Sequence, residues 1–225
     1  MSYFRVLSAL AAVLFITQAL HAESTVYPTV TDDRLLHPDA GDWLMYRRTY
    51  DGSGFSPLKQ ITPSNVHKLS LAWSLSTDLV EAHETTPIIN HGRMFITTPG
   101  NNIIALDAKT GTQLWRYVRK YPDGLFQLHP TNRGVALYGD LVYMATTDCA
   151  LVALDAASGK EVWTVPIDDF NQPGPAARNI HFEIARDRIG EVIIFDQFLD
   201  DDSGFAVDAI VLRSREFVPG IRRAG

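Results

Sequence analysis

Two short segments hold charged residues whose types admit either a ligand contact or a plain structural role: Glu84-Thr85-Thr86-Pro87 and Asn132-Arg133-Gly134. Arg133 presents a fixed fork of N–H donors, a shape that fits a carboxylate through parallel hydrogen bonds. Glu84 adds an acceptor that pairs with a cation or a polarised N–H. Thr85, Thr131 and Asn132 are their polar neighbours along the chain. By residue type alone each also has a plainer reading, Glu84 as a solvated turn residue and Arg133 as a brace for the loop before Val135-Ala136-Leu137. A third segment, Asp200-Asp201-Asp202-Ser203-Gly204, has the carboxylates and glycine of a calcium loop. Its spacing is not that of an EF-hand, and it reads better as an acidic turn. His83, His91, His129 and His181 show no two-ligand spacing on one element. Ser158-Gly159-Lys160 lacks the glycine-rich run and following helix of a phosphate loop. No Gly-x-Ser-x-Gly, Walker or dinucleotide fingerprint is present.

The elements that must position these residues are legible in outline. The chain has 225 residues, 46% hydrophobic and 10% aromatic, which excludes a wholly disordered protein. Its net charge of −6 and lack of a basic stripe argue against nucleic acid as a partner. One cysteine, Cys149, excludes an intrachain disulfide framework and multi-cysteine metal sites. Residues 1–22 read as an export signal: Arg5, an apolar run from Val6 to Ile16, then Leu20-His21-Ala22 for cleavage. The expected destination is the periplasm. Residues 23–41 form a lead-in.

An internal repeat organises the middle. Ala105-Leu106-Asp107-Ala108-Lys109-Thr110-Gly111-Thr112-Gln113-Leu114-Trp115 returns 48 residues later as Ala153-Leu154-Asp155-Ala156-Ala157-Ser158-Gly159-Lys160-Glu161-Val162-Trp163, identical at six of eleven positions. In each copy a short apolar strand runs into a turn. There Asp caps backbone N–H groups and Gly accepts positive φ, and a second strand then ends on a tryptophan. Upstream, His91-Gly92-Arg93 and Tyr138-Gly139-Asp140 introduce further strands, Met94 to Thr98 and Leu141 to Thr146. Trp73 closes an earlier strand, Leu69-Ser70-Leu71-Ala72-Trp73, by the same device. A unit of antiparallel strands about 40–50 residues long has the size of a propeller blade. The expected fold is all-β: two to three four-stranded blades over residues 42–170.

The repeat resembles the tryptophan-docking motif of the quinoprotein alcohol dehydrogenases, which use pyrroloquinoline quinone (PQQ). Asp42-Trp43-Leu44-Met45-Tyr46, Gly54-Phe55-Ser56-Pro57-Leu58, Gln60-Ile61-Thr62-Pro63-Ser64-Asn65-Val66, Glu84-Thr85-Thr86-Pro87 and Asn132-Arg133-Gly134-Val135-Ala136 are similar to that family in order and spacing. The resemblance covers residues 40–168. It implies an eight-bladed β-propeller that binds PQQ with Ca²⁺ or a lanthanide, oxidises a primary alcohol and passes electrons to a cytochrome. Glu84 and Arg133 match family positions that line the PQQ pocket. Many members carry adjacent cysteines shortly before Asn-Arg-Gly, and here Gln127-Leu128 stand there. The family's metal ligands and catalytic Asp lie in later blades, so no catalytic or metal-binding residue is assigned in this chain.

Beyond the matched blades, Pro173 and Pro175 mark a linker at 171–176. Residues 177–225 belong to no recognised family; Ile180 to Ile184, Val192 to Phe195 and Ala206 to Leu212 read as strands of a small β appendage. The expectation is an N-terminal part of an exported dehydrogenase, inactive alone, which a second chain could complete. The alternative is a non-catalytic propeller fragment, an interaction or scaffold module of the outer-membrane assembly type.

Overall fold

The computed structural model describes residues 27–125 and 130–167, together with the backbone of strands at 182–186, 192–200, 204–212 and 221–222. The expected signal, the Gln127-Leu128 pair and the linker lie outside the described residues. After a five-residue helix α1 (Asp32–Leu36) and a 3-10 turn (Val66–Lys68), the described chain is all β. Strands β1 (Ile88–Asn90), β2 (Arg93–Thr98), β3 (Asn102–Asp107) and β4 (Gln113–Tyr117) form one antiparallel sheet in sequence order. So do β5 (Ala136–Tyr138), β6 (Leu141–Thr146), β7 (Ala150–Asp155) and β8 (Glu161–Pro166). A third sheet runs β9 (Phe182–Arg186), β10 (Val192–Asp200), β11 (Gly204–Leu212) and β12 (Ile221–Arg222), also in sequence order. Asp200 and Gly204 pair directly across β10 and β11, and residues 201–203 of the acidic segment lie outside the described residues.

The repeat is reproduced in three dimensions. In the first copy Asp107 Oδ1 accepts from Lys109 N, Thr110 N and Thr110 Oγ1, and in the second Asp155 Oδ1 accepts from Ser158 N and Ser158 Oγ. Gly111 and Gly159 follow at φ +73° and +72°, a region where a side chain is strained. Both β3–β4 and β7–β8 shift register at the same place, between Ala105/Leu106 and Ala153/Leu154. This bulge sets Trp115 opposite Ala105 and Trp163 opposite Ala153.

Sheet packs on sheet through one core. Phe95, Ile103 and Trp115 of the first sheet meet Val142, Met144, Val152 and Leu154 of the second. Trp115 lies across the Gly159 turn: its Nε1 donates to Ala156 O at 3.1 Å, and a Cβ on Gly159 would sit 2.6 Å from the indole. Trp73 makes the same contact with the first sheet, donating to Ala108 O at 3.1 Å, with Gly111 under its ring.

One feature differs from the sequence reading, and one adds to it. Leu69-Ser70-Leu71-Ala72-Trp73, expected as a strand, pairs with no strand among the described residues. A strand needs a neighbouring backbone to take its N–H and C=O groups, and none among the described residues pairs with it. Leu69 and Leu71 are correspondingly exposed. The lead-in, conversely, is integral to the core: Tyr27, Val30 and Leu35 are buried in the same cluster as Trp115. It is held by reciprocal backbone bonds of Val30 with Gly139. Arg34 binds Asp42 at 2.6 Å and Asn90 at 2.7 Å, while Asp42 also accepts from His91 N.

Candidate functional site: an arginine–glutamate pair on a knitted loop

Glu84 precedes β1 and Arg133 precedes β5, and the fold brings them together. Arg133 Nη2 lies 3.2 Å from Glu84 Oε2, with both side chains about half exposed. An ion pair this exposed contributes at most about 1 kcal/mol to stability. Its accessibility is what a ligand would use. The backbones are tied as well, since Thr86 N donates to Arg133 O at 3.3 Å. Gly134, at φ +140°, lies against Thr86, where a Cβ would come 3.6 Å from Thr86 O.

The supporting residues are partly buried and hydrogen-bonded into the fold. Thr85 Oγ1 accepts from Thr97 N at 2.9 Å, and Thr97 Oγ1 donates to Asn132 O at 3.0 Å, so β2 bridges the two segments. The Asn132 side chain donates to Asn101 Oδ1 (2.8 Å) and Ala145 O (2.9 Å), and it accepts from Gly134 N (3.1 Å). Thr131 is half-buried in the same loop. Below it, Arg119 grips the buried Asp148 through Nη2 at 2.6 Å and Nε at 3.3 Å. Burial works against the Arg119 charge, but Asp148 and Tyr117 outweigh it and hold the guanidinium's pKa above its ordinary value.

Sequence reasoning singled out Glu84, Arg133, Thr85 and Asn132, and the structure gathers all four. It missed Thr97 and Asn101, which join them. The available signal was the Pro99-Gly100-Asn101 turn, but the partners of Asn101 stand 20 to 46 residues away. Among the described residues, one carboxylate–histidine cluster has the span of a metal site: Asp39, Asp42 and His91, with ligand atoms within 4.8 Å of one another. Arg34 already neutralises Asp42 there, and the cluster lies at the opposite end of β1 from Glu84. His83 is tied locally, its ring nitrogens at 2.8 Å from Thr77 Oγ1 and Glu81 O.

Comparison with known proteins agrees with this architecture. Residues 43–175 match the family described as "PQQ: Glucose/ethanol/alcohol dehydrogenase, beta-propeller domain". The quinohemoprotein alcohol dehydrogenase ADH IIB of Pseudomonas putida is 43% identical over 136 residues, covering 59% of this chain and 20% of that protein. The solved structure of quinohemoprotein alcohol dehydrogenase ADHIIG from Pseudomonas putida HK5 superposes with a TM-score of 0.68 at 32% identity, covering 83% of this chain and 28% of that one. A europium-containing methanol dehydrogenase superposes with a TM-score of 0.61 at 26% identity, covering 80% and 32%. The chain therefore spans between a fifth and a third of the length of these relatives. Sheet order, repeat and sequence match converge: the chain belongs to the PQQ-dependent quinoprotein alcohol dehydrogenase family, within its β-propeller domain.

Proposed function

We propose that this chain supplies one face of a PQQ site, with Glu84 and Arg133 as the cofactor-binding residues. The observation that carries this is the exposed Glu84–Arg133 pair, held on a loop whose other polar groups are spent inward. The residues suit the group. PQQ is a polycarboxylate, and Arg133 uses one edge of its guanidinium on Glu84 while the half-exposed remainder of its fork can take a carboxylate. Glu84 sets the fork's orientation and can accept an N–H from the ligand. When bound, PQQ supplies the two-electron acceptor for alcohol oxidation. This chain's part is to bind, orient and hold it.

The fold reading at its finer level belongs here too. Trp73 and Trp115, each seated on a glycine turn of the next sheet, act as the tryptophan-docking contacts of successive blades. Trp73 stands to the first sheet as Trp115 stands to the second, so the segment that carries Trp73 takes the place of a neighbouring blade's outer edge without forming a strand in this structure. Residues from such blades, in the same or a second chain, would complete the ring and add Ca²⁺ or lanthanide ligands and a catalytic carboxylate. We assign export to the periplasm on the signal-like residues 1–22, and a small primary alcohol as substrate and a cytochrome as acceptor on the resemblance alone. Blades over 42–170, a linker at 171–176 and a separate segment at 177–225 remain our proposed division of the chain.

The test is a PQQ titration of the purified chain with Ca²⁺ present, followed by tryptophan fluorescence. Saturable binding, weakened at least tenfold in Arg133→Ala, is expected. A folded chain that binds no PQQ, or binds it equally well without Arg133, overturns the assignment. Alcohol oxidation by the chain alone with a dye acceptor would overturn the view that further blades are required.

A further inference from the structure

We propose that Asn101 is the positioning residue for Arg133, acting through Asn132; the link to a cofactor rests on the reading of the Glu84–Arg133 pair given above. Asn101 ends the Pro99-Gly100-Asn101 turn between β2 and β3 and has no exposed surface. Its Oδ1 accepts from Asn132 Nδ2 at 2.8 Å, and its own Nδ2 donates to Tyr121 Oη at 2.7 Å and to Thr147 Oγ1 at 2.8 Å. One side chain thus joins the Asn132 loop, the chain leaving β4 and the β6–β7 turn. Beside it, Gly100 N donates to Pro130 O at 2.8 Å, so the same turn holds the start of the Arg133 loop.

Residue type matters twice at this position. Asn101 has φ +53°, a region that asparagine tolerates better than other residues with a side chain. Its amide also offers the acceptor and the two donors that the site consumes. Asparagine meets both demands, whereas glycine meets the first alone. Asn132 can turn its polar groups inward only because Asn101 Oδ1 and Ala145 O receive them. With its neighbour so held, Arg133 is left with its guanidinium outside and its carbonyl bonded to Thr86 N. Without the Asn101 amide, Asn132 Nδ2 loses one of its two acceptors in the structure. The loop then gains freedom just where Arg133 must stay fixed beside Glu84.

The discriminating variant is Asn101→Gly, which keeps the turn's backbone geometry and deletes the amide. The first readout is ligand-free: ¹⁵N order parameters of the Asn132, Arg133 and Gly134 amides, with Ile104 and Val152 in the central strands as internal references. The expected result is a fall at 132–134 from rigid values near 0.85 to below about 0.6, with the references unchanged. The second readout is PQQ affinity, expected to weaken at least tenfold. Thr147→Val, which removes one acceptor of the Asn101 amide at nearly constant shape, gives a smaller change in the same direction and serves where the glycine variant fails to fold. Unchanged order at 132–134 in both variants overturns the proposal. So does lost order with unchanged PQQ affinity. Lost order in a chain whose wild type binds no PQQ leaves Asn101 as the loop's positioning residue and removes the cofactor reading instead.

Discussion

Three glycines with nearly the same backbone angle separate the energetics of the tryptophan contact from those of the turn. Gly92, Gly111 and Gly159 have φ of +80°, +73° and +72°. Placing alanine at any of them costs about 1–2 kcal/mol in left-handed strain. They differ in what the new methyl meets. At Gly92 nothing lies within 4 Å, whereas at Gly159 the methyl would come 2.6 Å from Trp115 Cδ2 and Cε3. Trp115 is 9% exposed and packs on Phe95 at 5.8 Å between ring centroids, so it has little room to yield. Displacing it forfeits part of the packing that removal of a buried tryptophan costs, about 3–5 kcal/mol in full. Gly92→Ala should therefore destabilise by about 1–2 kcal/mol and Gly159→Ala by about 3–5 kcal/mol. Gly111→Ala meets Trp73 at 2.5 Å, but Trp73 is less buried than Trp115 and its segment pairs with no strand among the described residues, so it has more room to yield. It should fall between the other two, near about 2 kcal/mol. Urea unfolding followed by tryptophan fluorescence and far-ultraviolet circular dichroism measures all three. Should Gly159→Ala fall within about 0.5 kcal/mol of Gly92→Ala, the tryptophan contact would not hold the sheets together as described.

Other perturbations have defined outcomes. Arg34→Ala leaves Asp42, whose side chain is 3% exposed, as a buried charge without its cation, and should cost about 2–4 kcal/mol in urea unfolding; a loss under 1 kcal/mol would show that the lead-in is not anchored there. Burial, with a smaller contribution from Tyr138, raises the Tyr143 pKa from 10.0 to about 12. Its phenol is neutral in the folded state where the unfolded chain ionises, so stability holds below pH 10 and falls as pH rises towards 12, by about 3 kcal/mol. Tyr143→Phe should remove that part of the alkaline loss, and an unchanged slope of unfolding free energy between pH 10 and 12 would refute it. Arg133→Ala should leave stability within about 1 kcal/mol of wild type, because its ion pair is half exposed; a larger loss would make Arg133 a structural brace.

How much of this was legible in the sequence depended on range. The β3–β4 and β7–β8 turns announce themselves through Asp and Gly at fixed offsets, because their hydrogen bonds close within a few residues. The tryptophans were legible as packing residues. The seat of each one, a glycine turn 38 or 44 residues further on, became clear only when the sheets were stacked. Arg34, Asp42 and Asn90 meet across 56 residues with no periodic pattern to advertise them, so the sequence did not show how the lead-in joins the core. Glu84 and Arg133 could be picked out by family resemblance. That they touch, and that Thr97 and Asn101 fix the loop between them, follows from the placement of β2 against the 132–134 segment.

The central claim is that Arg133 offers its fork to a cofactor carboxylate. The most direct test compares PQQ with its carboxylate methyl esters, in the wild-type chain and in Arg133→Ala, by fluorescence titration at matched ionic strength. The account predicts that wild type prefers the free acid at least tenfold and that this preference disappears in Arg133→Ala while Glu84→Gln retains most of it. Equal affinity for acid and ester in the wild-type chain, or a preference that survives loss of Arg133, would contradict it.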